Sequence, residues 1–135
     1  MEWTKDSYRI SDDKSELDLF YVAPALQQSY WAAGRPQEII EESIANSLTL
    51  GLYTEGRQIG FARAVTAKCT FAWICDTMVH PDYRGVGLGK WLMDCLTEHP
   101  DVVNVSMQLL RTRDAHGLYE QYGYTVCDAM VKRID

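Results

Sequence analysis

The sequence predicts a mixed α+β fold, a sheet flanked by helices, and three observations lead there. Apolar residues recur three or four apart between positions 19 and 44 and again between 88 and 96, the period falls to two between 48 and 79, and turn residues separate these blocks. The resulting order is helices, hairpin, long strand, glycine-rich turn, helix, strand, helix and closing strands. A chain of 135 residues buries one good core but would leave two domains marginal, so one domain over 1–135 is expected.

Residues 8–11 form a candidate first strand, and Asp12, Asp13, Lys14 and Ser15 a turn into a helix. Leu19, Phe20, Ala23, Leu26 and Tyr30 share a helical spacing in which Pro24 should introduce a kink or a restart. Gly34, Arg35 and Pro36 break that element. Pro36 suits the first turn of a second helix running to about Asn46, with Ile39, Ile40 and Ile44 inward. Strands at 48–53 and 58–65 meet at a Glu55-Gly56 turn. On the second strand Ile59, Phe61, Arg63 and Val65 alternate with Gly60, Ala62 and Ala64, which gives one bulky face and one that a helix can approach closely. Residues 71–79 are the longest strand, and Pro81 ends it. Leu88, Trp91, Leu92, Cys95 and Leu96 form the clearest amphipathic stripe, with Pro100 beyond its end. A strand at 102–110, a short helix at 115–121 stopped by Gly123, and a hairpin of 124–126 with 130–133 complete the expectation.

Composition excludes several classes of function. No apolar run approaches the roughly 18 residues of a membrane span, and the first residues lack a signal-peptide pattern, so a cytoplasmic protein with no membrane partner is expected. The four cysteines show no metal-ligand spacing, so no metal is expected, and the three that sit in strand-like or helical apolar stretches read as core residues. A net charge of -6 with scattered basic residues argues against a nucleic-acid partner and mildly favours cationic small molecules, although it also suits simple solubility.

The chemistry concentrates at Arg84, Gly85, Val86, Gly87, Leu88, Gly89 and Lys90, where a strand gives way to a strongly amphipathic helix. Glycines let main-chain N–H groups converge on an anion, the helix N-terminus adds partial positive charge, and Arg84 and Lys90 add formal charge. This is the composition of a site for a phosphorylated cofactor. A nucleotide P-loop would need Ser or Thr after Lys90, where Trp91 stands, and a dinucleotide fingerprint beginning at Gly85 would need glycine at Lys90.

The run Val79-His80-Pro81-Asp82-Tyr83-Arg84-Gly85-Val86-Gly87-Leu88-Gly89 resembles motif A of the Gcn5-related N-acetyltransferase (GNAT) family, with Arg84, Gly87 and Gly89 in its key places. Ala115, Tyr119 and the pair Gly123-Tyr124 resemble the family's second signature. The resemblance implies a splayed, mainly antiparallel sheet of six to seven strands with about four helices. It also implies acetyl-CoA as acyl donor, its pantetheine amides pairing with main-chain groups of Met78 and Val79 and its pyrophosphate on the amides of residues 85–90. The reaction implied is direct acetyl transfer to a primary amine of a small molecule. A protein acceptor, or a non-catalytic acyl-CoA-binding module, stands as the alternative. The family is commonly dimeric, which leaves a homodimer open.

Within this resemblance Tyr119 is the candidate acid for the departing thiolate, although its place on an apolar stripe also suits packing. Asp76 is the candidate base or substrate anchor, and equally a structural hydrogen-bonder if alternation turns it away; some relatives carry a carboxylate where Cys75 stands. His116 is a candidate cofactor contact, and Thr112 replaces a frequent asparagine. Tyr30, Trp31 and Arg35 fall in the segment that lines the acceptor site in the family, and Arg63 is expected to meet an acidic group, either Asp76 or a substrate carboxylate.

Overall fold

The computed structural model describes residues 1–134. Six strands form one sheet in sequential order: β1 (Glu2–Lys5), β2 (Tyr8–Ser11), β3 (Leu48–Thr54), β4 (Arg57–Thr66), β5 (Phe71–Val79) and β6 (Met107–Leu110). Neighbours are antiparallel except β5 and β6, which are parallel. Helices α1 (Leu19–Gln27) and α2 (Gln37–Ala45) follow β2, α3 (Leu88–Glu98) and α4 (Pro100–Val103) follow β5, and α5 (His116–Glu120) follows β6. This is the expected mixed α+β fold.

The contrast between bulky and bare positions on β4 divides the core. Phe61 faces Val22, Ala23, Leu26, Ile40 and Ile44 of α1 and α2, whereas Ala62 and Ala64 lie under Leu88, Leu92, Met93, Cys95 and Leu96 of α3. The small side chains bring α3 close to the sheet, and each fully buried Leu or Ile in these layers contributes about 1.5–3 kcal/mol. Ile59 joins the α3 side instead of the Phe61 side expected from strict alternation, because the register with β3 shifts between Leu52 and Tyr53.

Other expectations are corrected. An additional strand, β1, pairs with β2 through a turn at Asp6, whose φ is 53°. Pro24 sits inside an unbroken α1, and Ile39 is exposed while Ile40 and Ile44 are buried. The strand expected at 102–110 begins only at Met107, because His99 accepts the Asp101 amide at 3.0 Å and starts α4. The closing hairpin is absent: residues 124–134 form no strand, and Val126, Met130, Val131 and Ile134 are exposed. Tyr124 hydrogen-bonds through its hydroxyl to Gln108 and packs edge-on to Tyr119, and beyond it no ladder continues. Of the cysteines, Cys95 is buried and Cys75 half-buried, but Cys69 and Cys127 are exposed and are not core residues. Among the described residues no group of His, Cys, Asp or Glu could hold a metal ion, and no helix is long and apolar enough to cross a membrane.

Candidate functional site

The turn between β5 and α3 presents its amides outward. Gly85 and Gly87 take φ of 86° and 85°, the left-handed region that side chains disfavour, and Gly87 caps α3 with no side-chain hydrogen bond. Among the described residues, the amides of residues 85–90 have no backbone acceptor, and the first amide to regain one is that of Trp91, on the Gly87 carbonyl at 3.1 Å. No atom lies within 4 Å of where a Cβ would stand on either glycine, so the space over the turn is open. Arg84 is held across it by an Nε hydrogen bond to the Val79 carbonyl at 2.9 Å. Open, unpaired donors at a helix N-terminus beside Arg84 and Lys90 fit a diphosphate.

The same end of β5 stands apart from β6. The two strands pair only from Phe71 with Met107 to Ile74 with Leu110, while β5 runs on to Val79. On its far side β5 remains bonded to β4, with Met78 opposite Phe61 and Val79 opposite Gly60, so its main-chain groups facing the gap carry no ladder. An extended amide-bearing chain could pair there as an added strand would.

A second irregularity aims the side chains. Between β4 and β5 the register passes from Ala62 with Thr77 to Ala64 with Ile74, leaving Cys75 and Asp76 opposite Arg63 alone. The bulge buries Asp76, which is 4% exposed, against three donors. Trp31 Nε1 donates to its Oδ1 at 2.9 Å, and Arg35 Nη1 and Arg63 Nε donate to its Oδ2, each at 3.0 Å. Arg63 Nη1 also donates to Ser47 Oγ at 3.0 Å. The cluster pins the segment between α1 and α2 to the middle of the sheet. Further ties within that segment come from Gln27 Nε2 to the Arg35 carbonyl at 2.9 Å and from the Ala32 amide to Ser29 Oγ at 3.2 Å.

Asp76 and its three donors line a cleft of about 730 Å³, whose lining includes neither Met78 and Val79 nor the glycine-rich turn. It gathers Tyr30, Trp31, Arg63, Asp76 and Tyr119, whereas His116 is exposed at the start of α5 and outside its lining. Tyr30 and Trp31 stand edge to face, with ring centroids 5.2 Å apart, and Arg113 already covers the Tyr30 ring at 3.8 Å. Thr112 Oγ1 accepts the Ala115 amide at 3.0 Å, which orders the turn into α5. Burial, and then the nearby Tyr30, hold the Tyr119 phenol above its ordinary value, so it keeps its proton at neutral pH. Among the described residues no hydrogen-bond partner occupies its hydroxyl. Burial likewise pushes the Cys75 thiol up, so it is a neutral wall residue and no ready nucleophile. Sequence reasoning missed Trp73, Arg111 and Arg113, which also line the cleft. The two arginines follow the end of β6, and their only signal was their density in Arg111-Thr112-Arg113.

Comparison with known proteins bears on the family and the fold. The model of the family described as acetyltransferase (GNAT) domain matches residues 45–126. The chain superposes on the crystal structure of a Xanthomonas campestris pv. campestris protein belonging to the GNAT family with a TM-score of 0.91 and 35% identity, covering 97% of this chain and 96% of that one. A Gibberella zeae relative named as an acetyltransferase is 26% identical over 116 residues, 71% of this chain and 66% of its own length. An uncharacterized N-acetyltransferase of Prochlorococcus marinus is 38% identical over 82 residues, 57% of this chain and 45% of its own length. The chain therefore spans about two thirds of the one curated relative and under half of the other.

Proposed function

The chain belongs to the GNAT acetyltransferase family, and from that premise we propose that it moves an acetyl group from acetyl-CoA to a primary amine of a small molecule within a ternary complex. The observation that carries this reading is one of placement. The turn with unpaired amides follows the end of β5 that has left β6, and the free hydroxyl of Tyr119 lines a cleft together with Asp76 and Thr77 of the same unladdered stretch.

In this reading residues 85–90 hold the pyrophosphate, with Arg84 and Lys90 supplying charge, and the main chain at Val79 holds the pantetheine amides. Met78, expected to share that role, turns its main-chain groups to Phe61 of β4 instead. When bound, acetyl-CoA supplies an acetyl thioester open to attack by an amine. Tyr119 keeps a proton on its Oη at neutral pH and can deliver it at the cleft, a contribution of about 10²- to 10⁴-fold. Asp76 acts by position. Its oxygens are occupied by three donors, so taking an ammonium proton would first require displacing Trp31 or an arginine. Water in the cleft accepts the amine proton, and Asp76 fixes the wall that Tyr30 and Trp31 present to the acceptor.

Replacing Tyr119 with Phe tests the reading. Turnover, followed as coenzyme A release over a panel of amines, should fall while calorimetric binding of acetyl-CoA persists. Unchanged turnover would remove Tyr119 from the chemistry, and no heat with acetyl-CoA would remove the donor.

A further inference from the structure

The chain is acidic, with a net charge of -6, but the wall of the cleft is basic. Five of the eight arginines line it, Arg35, Arg63, Arg111, Arg113 and Arg133, against two carboxylates, Asp76 and Asp114. The cationic acceptor that the net charge mildly favours is not matched by the charge of this lining.

The arginines differ in what holds them. Arg35 and Arg63 share Oδ2 of Asp76, and their side chains are only 23% and 13% exposed. One carboxylate cannot neutralise two guanidiniums, so this sheltered cluster keeps a positive charge that solvent screens weakly. Arg113 lies over the Tyr30 ring at 3.8 Å, and its contact with Asp114 is long, 3.9 Å, between side chains 66% and 68% exposed. Such a pair is weak in water, so stacking orders this guanidinium while leaving its in-plane N–H groups largely uncommitted. Arg111 has no carboxylate within 4.0 Å among the described residues. The phosphate-holding turn, residues 85–90, contributes nothing to the lining, so the cleft's charge is separate from the donor's diphosphate site. A planar guanidinium offers two parallel donors to an oxyanion, and ordering it beforehand reduces the entropy lost on binding.

We infer that the acceptor carries an oxyanion, a carboxylate or a phosphate monoester, in addition to its amine. Arg111 and Arg113 receive that group, in the field of the uncompensated Arg35–Arg63 pair. This rests on the acetyl-transfer reading above and narrows its substrate class.

The test uses matched amines that differ in the anionic group. Glycine is set against glycinamide, β-alanine against its amide, and phosphoethanolamine against ethanolamine, with putrescine as the cationic member. Coenzyme A release is measured for each, products are confirmed by mass spectrometry, and acetyl-CoA binding is measured by calorimetry on the same protein. In at least one pair the anionic member should have the higher kcat/KM by roughly tenfold or more, mostly through KM, since a charge-assisted hydrogen bond is at stake. The carboxylate and phosphate pairs report which oxyanion is taken. In Arg111→Ala/Arg113→Ala that preference should shrink to roughly threefold or less, with acetyl-CoA still bound as a check on folding. Equal use of paired amines, preference for a neutral or cationic member, or no acetylation of any pair while acetyl-CoA binds would each overturn the inference. If acetyl-CoA itself does not bind, the reading beneath it fails first and the inference falls with it.

Discussion

Replacing Asp76 with Asn separates a positioning carboxylate from a proton-accepting one. Three hydrogen bonds of 2.9, 3.0 and 3.0 Å converge on Asp76, two of them from guanidiniums. Removing one partner of a buried ion pair typically costs about 3–5 kcal/mol, because the remaining charge is left uncompensated. Arg35 and Arg63 keep some access to water, and the Asn oxygen can still accept from one donor, so the lower end applies, about 3 kcal/mol. At about 3 °C per kcal/mol for a chain of this size, Tm should fall by about 10 °C. Thermal unfolding measures the shift, and urea unfolding measures the loss in free energy. A double-mutant cycle with Arg63→Ala should return a coupling of about 1–3 kcal/mol. A stability loss below about 1 kcal/mol, accompanied by collapse of kcat, would refute the positioning argument and assign proton chemistry to Asp76.

Further outcomes follow from the same geometry. Tyr119→Phe should lower kcat by about 10²- to 10⁴-fold with little change in acetyl-CoA affinity, measured by steady-state kinetics beside calorimetry. Because burial holds the Tyr119 phenol above its ordinary 10.0, its proton is present below that pH and is lost only above it. A pH profile of kcat should therefore show no descending limb below pH 10 that vanishes in Tyr119→Phe. Gly87→Ala forces a side chain into φ of 85°, at about 1–2 kcal/mol, and acetyl-CoA binding should weaken as the turn relaxes. Leu92→Ala, at a fully buried position under Ala62 and Ala64, should cost about 2–5 kcal/mol by urea titration and leave the cleft residues in place.

Legibility in the sequence followed the range of the interactions. The bounds of β5, the stripe of α3, the Glu55-Gly56 turn and the bare face of β4 are set by local pattern, and each was readable from spacing alone. The glycine-rich turn was legible because Gly85 and Gly87 are needed for backbone angles that neighbouring residues do not dictate. The contact of Arg63 with Asp76 was half legible: a charge on a buried strand demands a partner, but which one depends on the bulge at Cys75 and Asp76. No residue type announces that bulge, and strict alternation misassigned Ile59 in the same way. The basic cleft was illegible because its arginines come from the α1–α2 segment, β4, the turn after β6 and the tail, and only the fold sums them. The closing hairpin failed for a related reason. Residues 124–126 and 130–133 carry strand-like composition, but composition alone does not make a pairing, and neither segment pairs with the outer edge of β6.

An amide-resolved titration of ¹⁵N-labelled protein with acetyl-CoA shows whether the unpaired amides at the start of α3 hold the donor's diphosphate. The resonances of Gly85, Val86, Gly87, Leu88, Gly89 and Lys90 should shift together and saturate with the calorimetric affinity. Silent resonances at these positions under saturating acetyl-CoA, or shifts confined to another face of the sheet, would contradict that placement.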